Sequence, residues 1–408
     1  YAGHRGQPLD YALYNITPSS TDGVWRYMYK VAKDLKEIEE KGTASGDKVY
    51  AGIAQILNAY TLSVMTDLFG DIPYSEALQG SQNITPKYDT QESIYKALIA
   101  SIDSGIANIK TGQGTLPGSD DFIFNGNVTK WERFANSLKL RLYNHMSAVD
   151  ASAAATFLAT SPALIEDSSN DAKVPFHSTA SNSNPIYQFD ALSGRADQAV
   201  ASTIVDKMKS LNDPRLSLYF AGVANNEAGL QGQIIGNTPG GTVEDAGMNL
   251  YSRVGSAYAS ANSPVTLITA AEVNFIKAEI YYRVGNTAQA QAAYEEAIKQ
   301  DFNALGVSSS YSSYIVSTDV AYNNTLQRIM EQKWITMYQA AYESWVDWRR
   351  TSYPVLTIPT GARTGTFIPR RLPYPQVEIN VNSASLAAGP GIPVLFQGMK
   401  DRMWWDKN

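Results

Sequence analysis

The 408-residue sequence contains no cysteine. Disulfides, thiol nucleophiles, iron–sulfur clusters and cysteine-ligated zinc are therefore excluded within it. Histidine is scarce: His4, His145 and His177 are the full complement. That argues against a His-rich metal site or a multi-histidine mechanism. No run of 18 apolar residues occurs, so no segment reads as a membrane-spanning helix. The apolar-rich stretch 151–165 is interrupted by Pro162 and by its Ser and Thr residues. Positive charge is not in excess: 33 Lys and Arg face 39 Asp and Glu, for a net charge of -6. A nucleic-acid partner is therefore not expected. No HExxH, nucleophile elbow or Walker A loop is present, and these are the local marks of metalloprotease, hydrolase and nucleotide chemistry. A glycosidase needs two carboxylates about 5–9 Å apart, and no motif singles out such a pair. The expectation is a protein without catalytic residues, metal or cofactor.

What is abundant is tyrosine, 25 residues, beside 7 Trp and 12 Phe. Tyrosine offers a flat apolar face with a polar tip, which suits surfaces that meet polar ligands; in a large core it is also ordinary packing. The length fits two or three domains, or one large architecture with insertions. A chain of this size buries about three quarters of its unfolded surface and needs no covalent staples.

Helical periodicity dominates. From Asp22 to Lys41 the stripe is Trp25, Met28, Val31, Leu35 and Ile38. From Val49 to Phe69 it is Ile53, Leu57, Tyr60, Val64 and Leu68. Asp89 with Glu92 reads as a capping box opening a third helix, striped by Ile94, Leu98, Ile102, Ile106 and Ile109. Thr129 with Glu132 opens a fourth, striped by Trp131, Phe134, Leu138, Leu142 and Met146. Val200, Ile204, Met208 and Leu211 stripe a fifth that stops before Asn212-Asp213-Pro214. Thr269 with Glu272 opens a sixth. Asn324 with Gln327 opens a long late helix, striped by Met330, Trp334, Met337, Ala341, Trp345 and Trp348.

From Ala271 to Asp301 the positions Ala278, Tyr281, Gly285, Ala290, Tyr294 and Ala297 fit a tetratricopeptide unit. Such a unit is two antiparallel helices of ~34 residues with small residues at the crossing. Asn274, Lys277 and Phe302 depart from the pattern. The pairs 22–41 with 49–69 and 89–110 with 129–146 have similar dimensions. The expected fold class is all-α: stacked tetratricopeptide-like helix pairs with long irregular, loop-rich insertions. The helix-pair scaffold is expected at approximately 22–147 and 269–350. An irregular, ligand-facing lobe is expected at approximately 150–268 and 351–408. Residues 351–393 hold 7 of the 18 prolines, which precludes a continuous helix there. Loops this long in a compact protein are commonly functional.

Three segments invite a chemical reading. Asp67, Asp71 and Glu76 in TDLFGDIPYSEAL offer oxygens to a hard cation, but calcium wants 6–8 of them. A capped helix end, with Gly70 as terminator, is the plainer account. The WVDWRR segment, Trp345 to Arg350, reads as a helix C-terminus carrying favourable basic residues, with Asp347 pairing Arg349 or Arg350. The RRLPYPQ segment, Arg370 to Gln376, reads as extended and Pro-rich. Sugar recognition uses a different logic: aromatic faces stack on pyranose C–H faces, and Asn, Asp, Arg and Gln bond the hydroxyls. The segment Asn184 to Asp190, with Tyr187 and Phe189, followed by Arg195, has this composition; Tyr251 and Tyr258 lie in the next irregular stretch. Asn184, Tyr187, Phe189, Asp190, Arg195 and Tyr258 are the candidate ligand-binding residues.

Six segments together carry a family resemblance: TDLFGDIPYSEAL (66–78), PKYDTQESIYKALIASID (86–103), KWERFANSLKLRLYNHMS (130–147), AEVNFIKAEIYYR (271–283), EQKWITMYQAAYESWVDWRR (331–350) and RRLPYPQVEIN (370–380). Their order and spacing resemble the SusD/RagB-like outer-membrane lipoproteins of Bacteroidetes-type bacteria, and most closely the SusD-like subgroup. The resemblance implies four tetratricopeptide-like helix pairs packed against an irregular lobe. It implies a surface-exposed position on the outer membrane through a lipid anchor on a cysteine lost with an N-terminal signal. It implies a SusC-like, TonB-dependent transporter as partner and an oligosaccharide or polysaccharide as ligand, or a peptide in RagB-type members. The shared motifs are mostly scaffold, so no binding residue carries over by motif.

Overall fold

The computed structural model describes residues 3–4, 11–193, 198–224, 229–241 and 250–407. Helix makes up 56% of the chain and no described strand exceeds four residues, so the fold is all-α. The chain forms two compact units. The first comprises Tyr1–Asn15, Glu166–Ser344 and Tyr353–Thr366; the second comprises Ile16–Ile165, Trp345–Ser352 and Phe367–Asn408.

In the second unit, α1 (Pro18–Ser45), α2 (Lys48–Phe69), α3 (Gln91–Lys110) and α4 (Val128–His145) pack in sequence order. Pro18 starts α1 four residues before the expected position, because its fixed φ and missing N–H suit the first helical turn. The α1 stripe is only half inward: Trp25 is buried, whereas Val31 and Ile38 are 47% and 43% exposed. The α1 residues that are buried include Thr21, Ala32 and Gly42, small side chains that let α2 approach closely. A Cβ on Gly42 would lie 3.0 Å from the Asp47 carbonyl oxygen. The α2 stripe is likewise half-buried, and the residues fully inside are Val49, Ile56, Leu62, Met65 and Phe69. A helix apolar on every side belongs between two others, and α2 packs on both α1 and α3. Glycines set that second contact: a Cβ on Gly52 would meet the Gly105 carbonyl oxygen at 2.6 Å, and one on Gly105 would meet Ile56 Cγ1 at 2.7 Å. The α4 stripe is buried along its whole length, from Trp131 to Met146.

The expected caps fall one or two residues away from the observed ones. Thr90, not Asp89, caps α3, accepting from Ser93 N. The Asp89 carboxylate instead accepts from Tyr74 N and Ser75 N, at 3.0 and 2.8 Å. Asn127, not Thr129, caps α4, accepting from Lys130 N at 3.0 Å.

In the first unit, β1 (Ala172–Val174) and β2 (Val265–Ile268) pair antiparallel, Lys173 opposite Thr266. Next come α5 (Ser202–Ser210), α6 (Ala270–Arg283), α7 (Thr287–Leu305) and α8 (Leu326–Thr336). Thr269 caps α6 as expected, its hydroxyl accepting from Glu272 N. α6 and α7 form the tetratricopeptide-like pair, with Ala278, Ala290, Tyr294 and Ala297 fully buried. Gly285 supplies the turn at φ +76°. Phe302, where the repeat pattern asks for Pro, is buried and α7 runs on to Leu305. The single late helix is in fact two, α8 and α9 (Ala341–Thr351). Asn324 cannot open α8 because it sits at φ +56°, outside the extended region that an N-cap occupies. Thr325, extended at φ -125°, caps it.

Candidate functional site

The first unit contains a cavity of about 250 Å³. Its walls include β1 with the preceding Asp171, part of β2, the one-turn helix Ser256–Ala259, the start of α6, and the C-terminal ends of α7 and α8. The polar lining includes Asp171, Lys173, Glu272, Gln300, Asp301 and Gln339. The apolar lining includes Leu218, Ala304 and Met337.

Asp171 is buried. One carboxylate oxygen accepts from Ala270 N at 2.8 Å, at the N-terminus of α6, and the other lies 3.1 Å from Lys173 Nζ. Burial pushes its carboxyl above the usual range despite the Lys173 charge, and the nearby Asp301 adds to the rise. Asp301 joins the cavity wall to a buried ion network. Arg215, fully buried, donates to Asp301 Oδ2 at 2.7 Å, to Asp213 Oδ1 and Oδ2 at 2.9 and 2.5 Å, and to Thr336 Oγ1 at 3.0 Å. Burial raises Asp301 as well, against the pull of Arg215. Asp213 faces the same burial, yet three bonds from Arg215 and one from the Tyr314 hydroxyl hold it below the usual carboxylate range.

Side-chain amides fix the loops. Gln339 Nε2 donates to the Pro264 carbonyl at 2.8 Å, while its Oε1 accepts from Thr266 Oγ1 at 2.9 Å. Gln300 Oε1 accepts from Ser168 N at 2.8 Å. Tyr258, 9% exposed, lines the cavity and belongs to an aromatic cluster. Its ring centroid is 5.0 Å from that of Tyr219 and 5.6 Å from that of Tyr338. Burial lifts the Tyr258 hydroxyl far above its ordinary value, so it stays protonated.

The segment carrying the other sequence candidates packs against the one-turn helix Ser256–Ala259. Asn184 makes the join and is fully buried. Its Oδ1 accepts from Ile186 N and Tyr187 N, its Nδ2 donates to the Ser263 carbonyl at 2.8 Å, and its backbone N donates to the Ala261 carbonyl. Asn184 thus shapes the loop and presents no amide to solvent. Tyr187 closes a single helical turn and Phe189 sits in the π-turn that follows; both are half-buried. Asp190 is half-buried and 4.0 Å from Arg253. Arg195 lies outside the described residues. The structure therefore brings the short helix that follows Asn184 against the one that carries Tyr258. Asp171, Lys173, Asp301 and Gln339 were not singled out from sequence; they converge from three segments far apart in the chain, and only the Thr269–Glu272 cap marked the place.

The remaining sequence candidates resolve into scaffold. Asp67 accepts from Tyr95 OH and Trp405 Nε1, Asp71 accepts from Gln91 N at 2.8 Å, and Glu76 pairs with Lys87 at 2.8 Å. They do not converge, and no group of three metal-ligating residues occurs among the described residues. Asp347 pairs with Arg350 at 2.6 Å. Both arginines of WVDWRR are buried, not splayed into solvent at a helix end. Arg349 reaches back to the Asp67 carbonyl. In RRLPYPQ, Tyr374 is buried and its hydroxyl donates to the Asp71 carbonyl at 2.7 Å. No helix of the described residues is long and apolar enough to cross a membrane.

Antiparallel helix pairs with small residues at their crossings, carrying loop-built cavities, define a tetratricopeptide-like helical protein. The model of the SusD-like family described as starch-binding and associating with the outer membrane matches residues 4–375, and the chain belongs to that family. Among solved structures, a chitin-binding SusD homologue from Flavobacterium johnsoniae is 27% identical, covers 94% of this chain and 86% of its own, and superposes with a TM-score of 0.81. A SusD homologue from Bacteroides uniformis is also 27% identical, with coverages of 93% and 86% and a TM-score of 0.80. A chitin-binding protein at 23% identity shares the fold, with a TM-score of 0.85 over 100% of this chain and 92% of its own. A sequence search of curated proteins finds no match.

Proposed function

We propose that this protein is a non-catalytic glycan-capture protein of the outer-membrane surface, held there by a lipid anchor and delivering oligosaccharides to a SusC-like, TonB-dependent transporter. The observation that carries the proposal is the family match across residues 4–375, whose description is starch binding at the outer membrane. The chitin-binding relative from Flavobacterium johnsoniae supports it. In this reading Tyr187 and Phe189 stack on sugar rings, Asp190 and Arg195 bond hydroxyls, and Asn184 and Tyr258 hold the frame behind them. Each sugar–aromatic stack contributes about 1 kcal/mol, by analogy with aromatic pairs. Two or three such contacts give an affinity in the micromolar range or weaker.

The test is retardation in native gels cast with starch, glycogen, chitin oligosaccharides and other soluble glycans, run beside a peptide panel. Retardation by at least one glycan is the expected result. A protein that ignores every glycan yet binds peptides would replace this reading with a peptide-importing one of the RagB type. Release of reducing sugar on incubation with any of these glycans would remove the non-catalytic assignment.

A further inference from the structure

We propose that the run Ile392–Leu395, in the second unit, is a membrane-contact loop whose apolar tip dips into a lipid surface of neutral or anionic headgroups. The inference goes beyond glycan capture. It takes from the family only its association with the outer membrane, and it does not depend on which sugar is bound.

The run is an anomaly of exposure. Ile392 is 50%, Val394 73% and Leu395 46% exposed. Nowhere else among the described residues do three exposed large apolar side chains fall within four positions. Single apolar side chains on a surface are ordinary, but a consecutive exposed run is a fault in a water-facing surface unless it is used. The run also lies in the longest stretch of the sequence without a charged residue, 379–399. From Gly389 to Phe396 no side chain can form a hydrogen bond.

The backbone holds the run outward. After the short helix Ser383–Ala388, Gly391 N donates back to the Leu386 carbonyl at 2.9 Å. Beyond the run, Phe396 turns the chain at φ +59°, a left-handed conformation that is costly for a bulky residue. Gly398 N then donates to the Val394 carbonyl at 2.6 Å. Pro393 folds back on Gly398, where an added Cβ would lie 2.2 Å from the Pro393 Cβ. Behind the loop there is a gap of about 40 Å³, with Tyr374, Ile379 and Met399 in its wall. That is room for little more than one water, so none of the three exposed side chains can be taken inward.

The chemistry of the tip favours lipid over protein as its occupant. Protein contacts draw most of their energy from Trp, Tyr and Arg, with Leu and Val under-represented; this tip is aliphatic and offers no directional group. A standard protein interface buries about 800 Å² per partner, more than three partly exposed aliphatic side chains supply. Basic residues follow directly: Lys400 and Arg402 are exposed, with Asp401 between them and Arg402 also 3.2 Å from Asp406. The exposed flank 400–402 thus carries a net positive charge, which suits a membrane surface that is neutral or negative. Pro390 and Pro393 lack the N–H groups that an apolar layer would leave unpaired. Interfacial segments seat about 5–10 Å into the boundary between headgroups and acyl chains. Even a whole myristoyl chain binds a membrane only marginally, so a tip this small orients a protein that is already anchored and does not hold it alone.

The chain has no cysteine, so a single introduced thiol can be labelled alone. Val394→Cys, carrying an environment-sensitive nitrobenzoxadiazole dye, is tethered through an N-terminal hexahistidine tag to vesicles of phosphatidylethanolamine and phosphatidylglycerol that contain a nickel-chelating lipid. Val316→Cys, at a position that is also 73% exposed but lies in the first unit, is labelled in the same way for comparison. The expected result is a blue shift and brightening at position 394, quenched by lipid-borne spin labels, and neither change at 316. Adding Ile392→Asp and Leu395→Asp should abolish the shift at 394 with the tethering and the thermal melt unchanged. A water-like signal at 394 on the tethered protein overturns the inference and leaves a protein partner as the occupant of the run. The same shift at both positions also overturns it, as indiscriminate adsorption, and so does a shift that survives the aspartates. None of these outcomes bears on the glycan gels, and failure of those gels leaves this loop standing.

Discussion

The two units bury charge in different ways. In the second unit the charged interior closes on itself. Arg349 is fully buried and donates to the Asp67 and Arg370 carbonyls at 2.7 and 3.0 Å. Its guanidinium lies 4.1 Å from the Trp345 ring centroid and 4.8 Å from that of Trp405. Arg370 pairs with Asp406 at 2.6 Å, and Asp67 binds Tyr95 and Trp405. In the first unit an equally buried arginine, Arg215, leans on Asp213 and Asp301, and Asp301 also borders open volume. The same ingredients make a structural lock where packing is complete and line a cavity where it is not. Burial of a charge is therefore no mark of a site by itself.

The sharpest way to break that comparison is to remove each arginine. Arg215→Met strands two buried carboxylates and should cost about 3–5 kcal/mol. Arg349→Met removes the donors to the Asp67 and Arg370 carbonyls and should cost about 1.5–3 kcal/mol. Urea denaturation of both variants measures the difference, and equal losses would erase it. Acid titration sharpens the same point. Asp213 has a lowered value in the folded state, so its contribution is complete above about pH 4, the ordinary aspartate value, and fades as pH falls through it. Asp301 runs the other way: burial raises its value, so its ionised form costs stability at neutral pH and that cost is relieved as pH falls. The stability of the parent relative to Asp301→Asn should therefore rise between pH 7 and pH 4. A flat difference would show that Asp301 is not strained by burial.

A second contrast concerns how each unit joins its helices. The α2–α3 contact rests on Gly52 and Gly105, whereas α6–α7 crosses on alanines. Gly105→Leu has no space, with Ile56 Cγ1 2.7 Å from where a Cβ would sit. Overpacking of about 1–3 kcal/mol or more should follow. Ala297→Gly in α7 should cost about 1 kcal/mol through helix propensity. Thermal melts rank the two, and a milder Gly105→Leu would mean that α2 and α3 can slide apart.

These pairs also show what the sequence could reveal. The α4 stripe, the Thr269 cap and the alanines of the repeat were legible because each signal is local: a 3.6-residue period, a side chain reaching three residues on, a fixed spacing. The α1 stripe misled because a helix beside a glycine and small-residue crossing buries its narrow side and leaves Val31 and Ile38 outside. The cavity was illegible because its polar lining, from Asp171 to Gln339, converges only after the chain has folded. Composition singled out the segment 184–190 but could not show which of its residues are tied down, as Asn184 is.

Tyr187 and Tyr258 look alike as letters and divide on burial, which supplies the mildest test. Tyr258 packs among Tyr219 and Tyr338, so Tyr258→Ala should lose about 3–5 kcal/mol of stability, as for other large buried rings. That loss would confound any binding measurement on the variant. Tyr187 is half-buried on a one-turn helix whose backbone is held by Asn184. Cutting it back to alanine leaves that anchor in place, so stability should move by only about 0.5 kcal/mol. If the ring stacks on sugar, glycan affinity should drop about fivefold, the equivalent of about 1 kcal/mol. Affinity electrophoresis of Tyr187→Ala against the parent reads that drop directly. Unchanged retardation would take Tyr187 out of the platform and shift the stacking role to Phe189, whose own alanine variant would then have to show the loss.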